Sequence, residues 1–208
     1  MIRLLFFLLF ATLLAPGQSR IPYEPSIGPL FSVKALDLSQ SSHARSIRNV
    51  DFRNSWIFEP GPLRLKDGRY ENEDRGTMSF DSVDLVSIHY VGSHYALVVY
   101  QELEGAGSST NSAIAEIFRL SDGRLSVVQR VRWDEDAMRN ETVPKPFSFN
   151  ANTLVLVIRS SHYMPGDAHC CISAVDVVTF TWRDTHFEQI GIQTVLSSYG
   201  RAIGRKLE

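Results

Sequence analysis

Five side chains able to bind a metal or move a proton fall within ten positions of one another: His162, Asp167, His169, Cys170 and Cys171. Thiolate and imidazole together make a zinc-type ligand set. Closed zinc sites, however, carry paired Cys or His at short regular gaps, and this spacing is not a familiar one. Adjacent residues of a regular strand point to opposite faces, so both sulfurs reach one ion only where the backbone bends. The "MPGD" just upstream offers such a bend. His162, His169, Cys170 and Cys171 therefore stand as candidates behind a preferred reading with no metal, no cofactor and no catalytic residue.

The two cysteines have a second chemistry. Neighbouring Cα atoms across a trans peptide lie about 3.8 Å apart, below the usual disulfide range of about 4.4 to 6.8 Å, so a Cys170–Cys171 bond is strained and somewhat reducible. It would stiffen one turn and close no loop of consequence. The preferred reading is two small, fairly apolar side chains opening a strand, bonded to each other or buried. The C-x-x-C spacing that tunes thiolate reactivity is missing, which disfavours a redox enzyme.

Other constellations are weaker. "HYVGSHY" sets His89 and His94 on opposite faces of a strand and reads as a hairpin tip carrying polar aromatics. Asp81, Asp84, Asp134, Glu135 and Asp136 could pair for glycosidic cleavage, but such runs are usually solvated loops. The mature chain lacks GxSxG, HExxH, SxxK and both glycine-rich phosphate cradles. Trp133 and Trp182 fall on apolar parities and read as core, which leaves less for a sugar platform with Trp56. "NETV" is a glycosylation sequon at Asn140.

These groups must be positioned by a chain that opens with "MIRLLFFLLFATLLAPGQSR": a cation, an apolar run, a Pro-Gly break and small residues. That pattern predicts a signal peptide over residues 1–19, cleaved after Ser19 or, second, Ala15. The apolar run is about 11 residues, short of the roughly 20 that span a bilayer, so no stable membrane anchor is expected after cleavage. The expected location is exported, periplasmic or extracellular. The chain is 44% hydrophobic and 21% charged with a formal net charge of -2, the composition of a folded domain with no basic stripe for nucleic acid.

Residues 20–47 mix proline, glycine and serine without a period and predict an exposed N-terminal arm. Residues 48–191 change to short segments rich in β-branched and aromatic residues between turn signals, which predicts a β-rich domain. Asp122-Gly123, Asp67-Gly68 and Arg183-Asp184 each mark a hairpin. "NTLVLVIRS" predicts a central strand covered on both faces. In "RLSVVQRVRW", Leu125, Val127, Val131 and Trp133 share one parity, with Val128 and Gln129 breaking it. Asp176 falls on an apolar parity and therefore needs a partner. Residues 192–208, with two glycines, predict a tail. The fold class expected is mostly β: an antiparallel sandwich, barrel or curved sheet of about seven to nine strands.

The order of "VDFRN", "LRLKDGRYE", a Gly/Ser-rich loop, an Asp-Gly hairpin and then "CC" before "TFTWRDTHFEQIG" resembles a family of uncharacterised exported bacterial β-rich proteins with a double-cysteine motif before a C-terminal strand hairpin. The likeness spans roughly residues 48 to 191. Two features depart from it: Ile172 stands where proline often follows the cysteines, and Ser87 and Val91 stand where an acidic loop would fall, with Gly92 retained. A calcium-like oxygen cage is not implied. The resemblance implies export and a β-rich domain, and no known reaction.

The expectation is an exported β domain that binds or scaffolds an extracytoplasmic protein or glycan without covalent chemistry. The alternatives are a metal-assisted hydrolase or a non-catalytic metal-binding module built on His162, His169, Cys170 and Cys171.

Overall fold

The computed structural model describes residues 40–57, 63–72, 82–103, 111–134, 147–167 and 172–207. Twelve strands run through them: β1 (Gln40–Ser41), β2 (Trp56–Ile57), β3 (Leu63–Arg64), β4 (Arg69–Glu71), β5 (Ser82–Val91), β6 (Tyr95–Leu103), β7 (Asn111–Ser121), β8 (Arg124–Asp134), β9 (Phe147–Asn150), β10 (Val155–His162), β11 (Ala174–Arg183) and β12 (His186–Leu196). One five-residue helix, α1 (Ser198–Ala202), follows. The strands form a six-stranded sheet in the order β1-β8-β7-β6-β5-β4, a four-stranded sheet in the order β12-β11-β10-β9, and the small pair β2-β3. Every pairing is antiparallel. Each sheet has two ends, so the expected class resolves to open packed sheets and not a closed barrel.

The turn chemistry explains the connections. Asp122 and Gly123 take φ of 51° and 72°, and Asp67 and Gly68 take 55° and 89°. These left-handed conformations suit Asp and Gly and match the twist of the flanking strands. The third hairpin turns at Asp184-Thr185, one residue beyond its expected centre, with Asp184 at φ 48°.

The six-stranded sheet is covered on both faces because its inner strands are apolar on both parities. On one face Ala96, Val98, Tyr100, Phe118, Leu125 and Val127 pack under the N-terminal segment, which contributes Ile47, Phe52, Ile57, Leu63 and Leu65. Phe52 and Phe118 meet with ring centroids 5.2 Å apart. On the other face Leu97, Val99, Ala115, Ile117, Val131 and Trp133 pack against Leu156, Ile158, Val178, Phe180 and Phe187 of the four-stranded sheet. Each such buried Leu, Val or Phe contributes roughly 1.5–3 kcal/mol. "NTLVLVIRS" is central as expected, between β9 and β11. Only Leu156 and Ile158 are fully buried, whereas Val155 and Val157 on its other face are half-buried.

Three expectations need correction. Leu125 and Val127 do not share a face with Val131 and Trp133: they belong to opposite cores. Ile117 pairs with Gln129 and Phe118 with Val127, so Val128 is an extra residue that flips the parity of the strand. Residues 40–47 are not an exposed arm: β1 pairs with β8, the Ser42 amide donates to the Gly123 carbonyl at 2.7 Å, and Ile47 is fully buried, while residues 20–39 lie outside the described residues. The tail starts later than 192, because β12 continues to Leu196 and α1 packs beyond it. Gly200, one of the two glycines of the expected tail, is buried by a close approach to the backbone of Ser173.

The bulge at Val128 aims Gln129 between the sheets. Its amide donates to the Phe187 carbonyl at 2.8 Å and accepts from the Phe187 N–H at 2.7 Å. Replacing Gln129 with leucine removes both partners of a buried peptide group and is expected to cost about 2 kcal/mol. Urea denaturation followed by tryptophan fluorescence checks this; an unchanged midpoint would show that the lock contributes nothing.

Candidate functional site

Of the five clustered side chains, His169, Cys170 and Cys171 lie outside the described residues, as do Asp81, Glu135, Asp136, Asn140 and the signal peptide. The other two, His162 and Asp167, have separate roles. His162 ends β10, and its Nδ1 lies 2.9 Å from Oδ2 of Asp176. An ionised carboxylate only accepts, so with Asp176 ionised the bond is donated by His162 Nδ1. The Thr194 hydroxyl donates to Asp176 Oδ1 at 2.6 Å. Asp176 therefore finds the partners that its place on an apolar parity demands; its side chain is 7% exposed and that of His162 26%.

Asp167 faces elsewhere. It accepts from the Met164 N–H at 2.9 Å, the Ser173 N–H at 2.8 Å and the Ser173 hydroxyl at 2.5 Å, with Arg205 at 3.5 Å. It ties the two sides of the segment holding the cysteines. Burial pushes this carboxyl up, but the Ser173 hydroxyl, the two amides and Arg205 together outweigh it and hold it below its ordinary value. A carboxyl lowered in the folded state stabilises above the unfolded value, and that contribution is lost as pH falls through the folded value. Asp167→Asn is expected to cost about 2 kcal/mol at neutral pH. The deficit shrinks below the ordinary carboxylate range, and paired unfolding curves at neutral and acid pH measure it. A deficit independent of pH would contradict the assignment.

Among the described residues, no three His, Cys, Asp or Glu side chains gather as a metal site. His89 and His94 diverge as expected. His89 lies between the sheets, 5.4 and 5.3 Å from the rings of Phe147 and Phe149, and burial lowers its pKa. His94 stands exposed in the Gly92–His94 turn. Asp84 sits 3.7 Å from Arg69 on paired strands. Trp133 and Trp182 join the core, and Trp56 is 39% exposed.

A concavity lies at the tips of the β5–β6 and β7–β8 hairpins, where no sequence motif announces it. A groove of about 670 Å³ is lined by Ser42–Arg45, by His94 and Tyr95 beyond the β5–β6 turn, and by Arg119–Gly123 at the β7–β8 turn. Its walls are fixed by main chain: Ser42 N–H to Gly123 O, and Leu120 N–H to His94 O at 2.8 Å. Arg45 and Arg119 are both exposed, and neither has an ion pair among the described residues. Among the described residues the one carboxylate in the wall, Asp122, accepts from Ser121 at 3.0 Å. Tyr95 is half-buried, its ring 5.0 Å from Trp182. These residues come from three segments far apart in sequence, so no local pattern announces the groove.

The chain matches no family model, no curated protein and no solved structure. No helix among the described residues is long and apolar enough to cross a membrane.

Proposed function

We propose that this chain is an exported binding domain that does no covalent chemistry and holds an acidic glycan in the groove between its N-terminal segment and two hairpin tips. The observation that carries the reading is the lining of that groove: two arginines without ion-pair partners among the described residues, two histidines and one engaged carboxylate. Guanidinium groups bind carboxylate and sulfate in a planar, two-pronged geometry. Tyr95 beside them offers a rigid aromatic surface of the kind that packs against a sugar ring. Groups that bind charge but include no activated nucleophile favour capture over turnover.

The test is calorimetric titration of the mature protein with oligogalacturonate, a neutral oligosaccharide of equal length, and polyglutamate. The acidic sugar is expected to bind, with affinity falling as salt rises. Arg45→Glu with Arg119→Glu is expected to weaken binding by about 100-fold or more, since charge-assisted hydrogen bonds contribute roughly 1.5–3 kcal/mol each. Both sites are exposed, so folding is expected to persist. Equal binding of the neutral sugar, or an indifferent double variant, refutes the reading; preferential binding of polyglutamate makes the partner an acidic protein segment.

One observation favours a second reading. The Asp176 carboxylate orients His162 as carboxylates orient histidines that bind metals or move protons. Native mass spectrometry of the secreted protein decides it: stoichiometric zinc supports this alternative, and a metal-free mass with an N-terminus after Ser19 supports the export and binding reading.

A further inference from the structure

Sheet edges expose unpaired peptide groups, and folded proteins blunt them with short strands, charges or proline. Three of the four outer strands of the two large sheets follow that rule by length: β1 has two residues, β4 three and β9 four. β12 does not. It is eleven residues long, lies at the end of its sheet among the described residues, and is exposed from Glu188 to Gln193. From Gln189 to Leu196 it contains no charged residue and no proline. Ile190 and Ile192 are 55% and 42% exposed.

The sequence of this edge is self-complementary. Gln189-Ile190-Gly191-Ile192-Gln193 reads the same in both directions. Antiparallel pairing about Gly191 sets Ile190 opposite Ile192 of the second copy, Gln189 opposite Gln193, and Glu188 opposite Thr194. No like charges meet, and cross-strand β-branched pairs are favourable. β12 also bends, because Thr179 pairs with Gly191 and Phe180 with Gln189, leaving Ile190 as an extra residue. A straight strand fits such an edge poorly, whereas a two-fold axis brings two identical bends together.

We propose that β12 pairs with β12 of a second copy about a two-fold axis through Gly191, joining two four-stranded sheets into one continuous sheet. This is independent of the groove, which lies on the other sheet's hairpins.

Sedimentation of the mature protein from roughly 1 to 200 µM tests it. The wild type is expected to shift from monomer to dimer over that range. Ile190→Lys with Ile192→Lys sets lysine opposite lysine and is expected to remain monomeric, and Ile190→Glu with Ile192→Glu likewise. Mixing the two variants is expected to restore a dimer, because every lysine then faces a glutamate. Gln189→Lys with Gln193→Lys repeats the repulsion without touching an apolar residue, so a folding defect in the isoleucine variants leaves the test intact. A monomeric wild type at the highest concentration overturns the proposal, as does a lysine variant that still dimerises or a mixture that stays monomeric.

Discussion

Gly200→Ala is expected to destabilise the protein by about 3 kcal/mol or more, the upper range for forcing atoms into a packed site. A Cβ at this position would lie 2.0 Å from the Ser173 carbonyl oxygen and 2.9 Å from its carbon. The obstacle is main chain, so no rotamer change relieves it. Nor can the helix simply shift. Ser197 donates its hydroxyl to the Ile172 carbonyl at 2.6 Å and its amide to the Ser173 carbonyl at 2.9 Å, while its hydroxyl accepts from the Gly200 N–H at 2.9 Å. Moving α1 away breaks this clasp and exposes the exit of the cysteine segment. Gly191→Ala is the control: nothing lies near its added methyl, and its effect is expected within about 0.5 kcal/mol. Equal unfolding midpoints for the two variants would show that the close contact is not a constraint.

Arg130→Met is expected to cost about 4 kcal/mol, the scale for stripping one member from a buried ion pair. Glu116 is fully buried, and Arg130 donates to its Oε1 from Nε at 3.0 Å and from Nη2 at 2.6 Å. The pair lies directly across β7 and β8, and Arg132 reaches over β7 to Glu102 at 2.7 Å. Beside them, burial and then the charge of Glu116 push the Tyr100 phenol well above its ordinary value. The double change Glu116→Leu with Arg130→Met is expected to recover most of the loss, since a well-packed apolar pair often replaces buried charges without penalty. A double-mutant cycle in urea reads the coupling directly. Additive losses would mean that the two side chains stabilise the fold separately.

The hairpins were legible because Asp-Gly has a local physical meaning: both residues tolerate positive φ, and the flanking runs are extended. The demand of Asp176 for a partner was legible too, since a carboxylate on an apolar parity cannot stand alone. The supply was not, because His162 is a strand away. Arg130 and Arg132 alternate with the apolar Val131 and Trp133, yet Arg130 is buried. Nothing local distinguishes a charge bound for water from one whose partner is Glu116. The bulge at Val128 hid the true faces of β8, because one inserted residue reverses parity and leaves only a break in the pattern. Gly200 and the groove share one reason for being missed: each is made where segments distant in sequence meet.

The claim that matters most is that the groove at the hairpin tips captures an acidic glycan. Amide chemical-shift mapping of the isotope-labelled mature protein with oligogalacturonate tests it most directly. Saturable shifts are expected to cluster at Ser42–Arg45, His94–Tyr95 and Arg119–Gly123, with the sugar recovered unaltered. Shifts centred on His162 and Asp176, cleavage of the sugar, or no shifts at saturating concentration would contradict it.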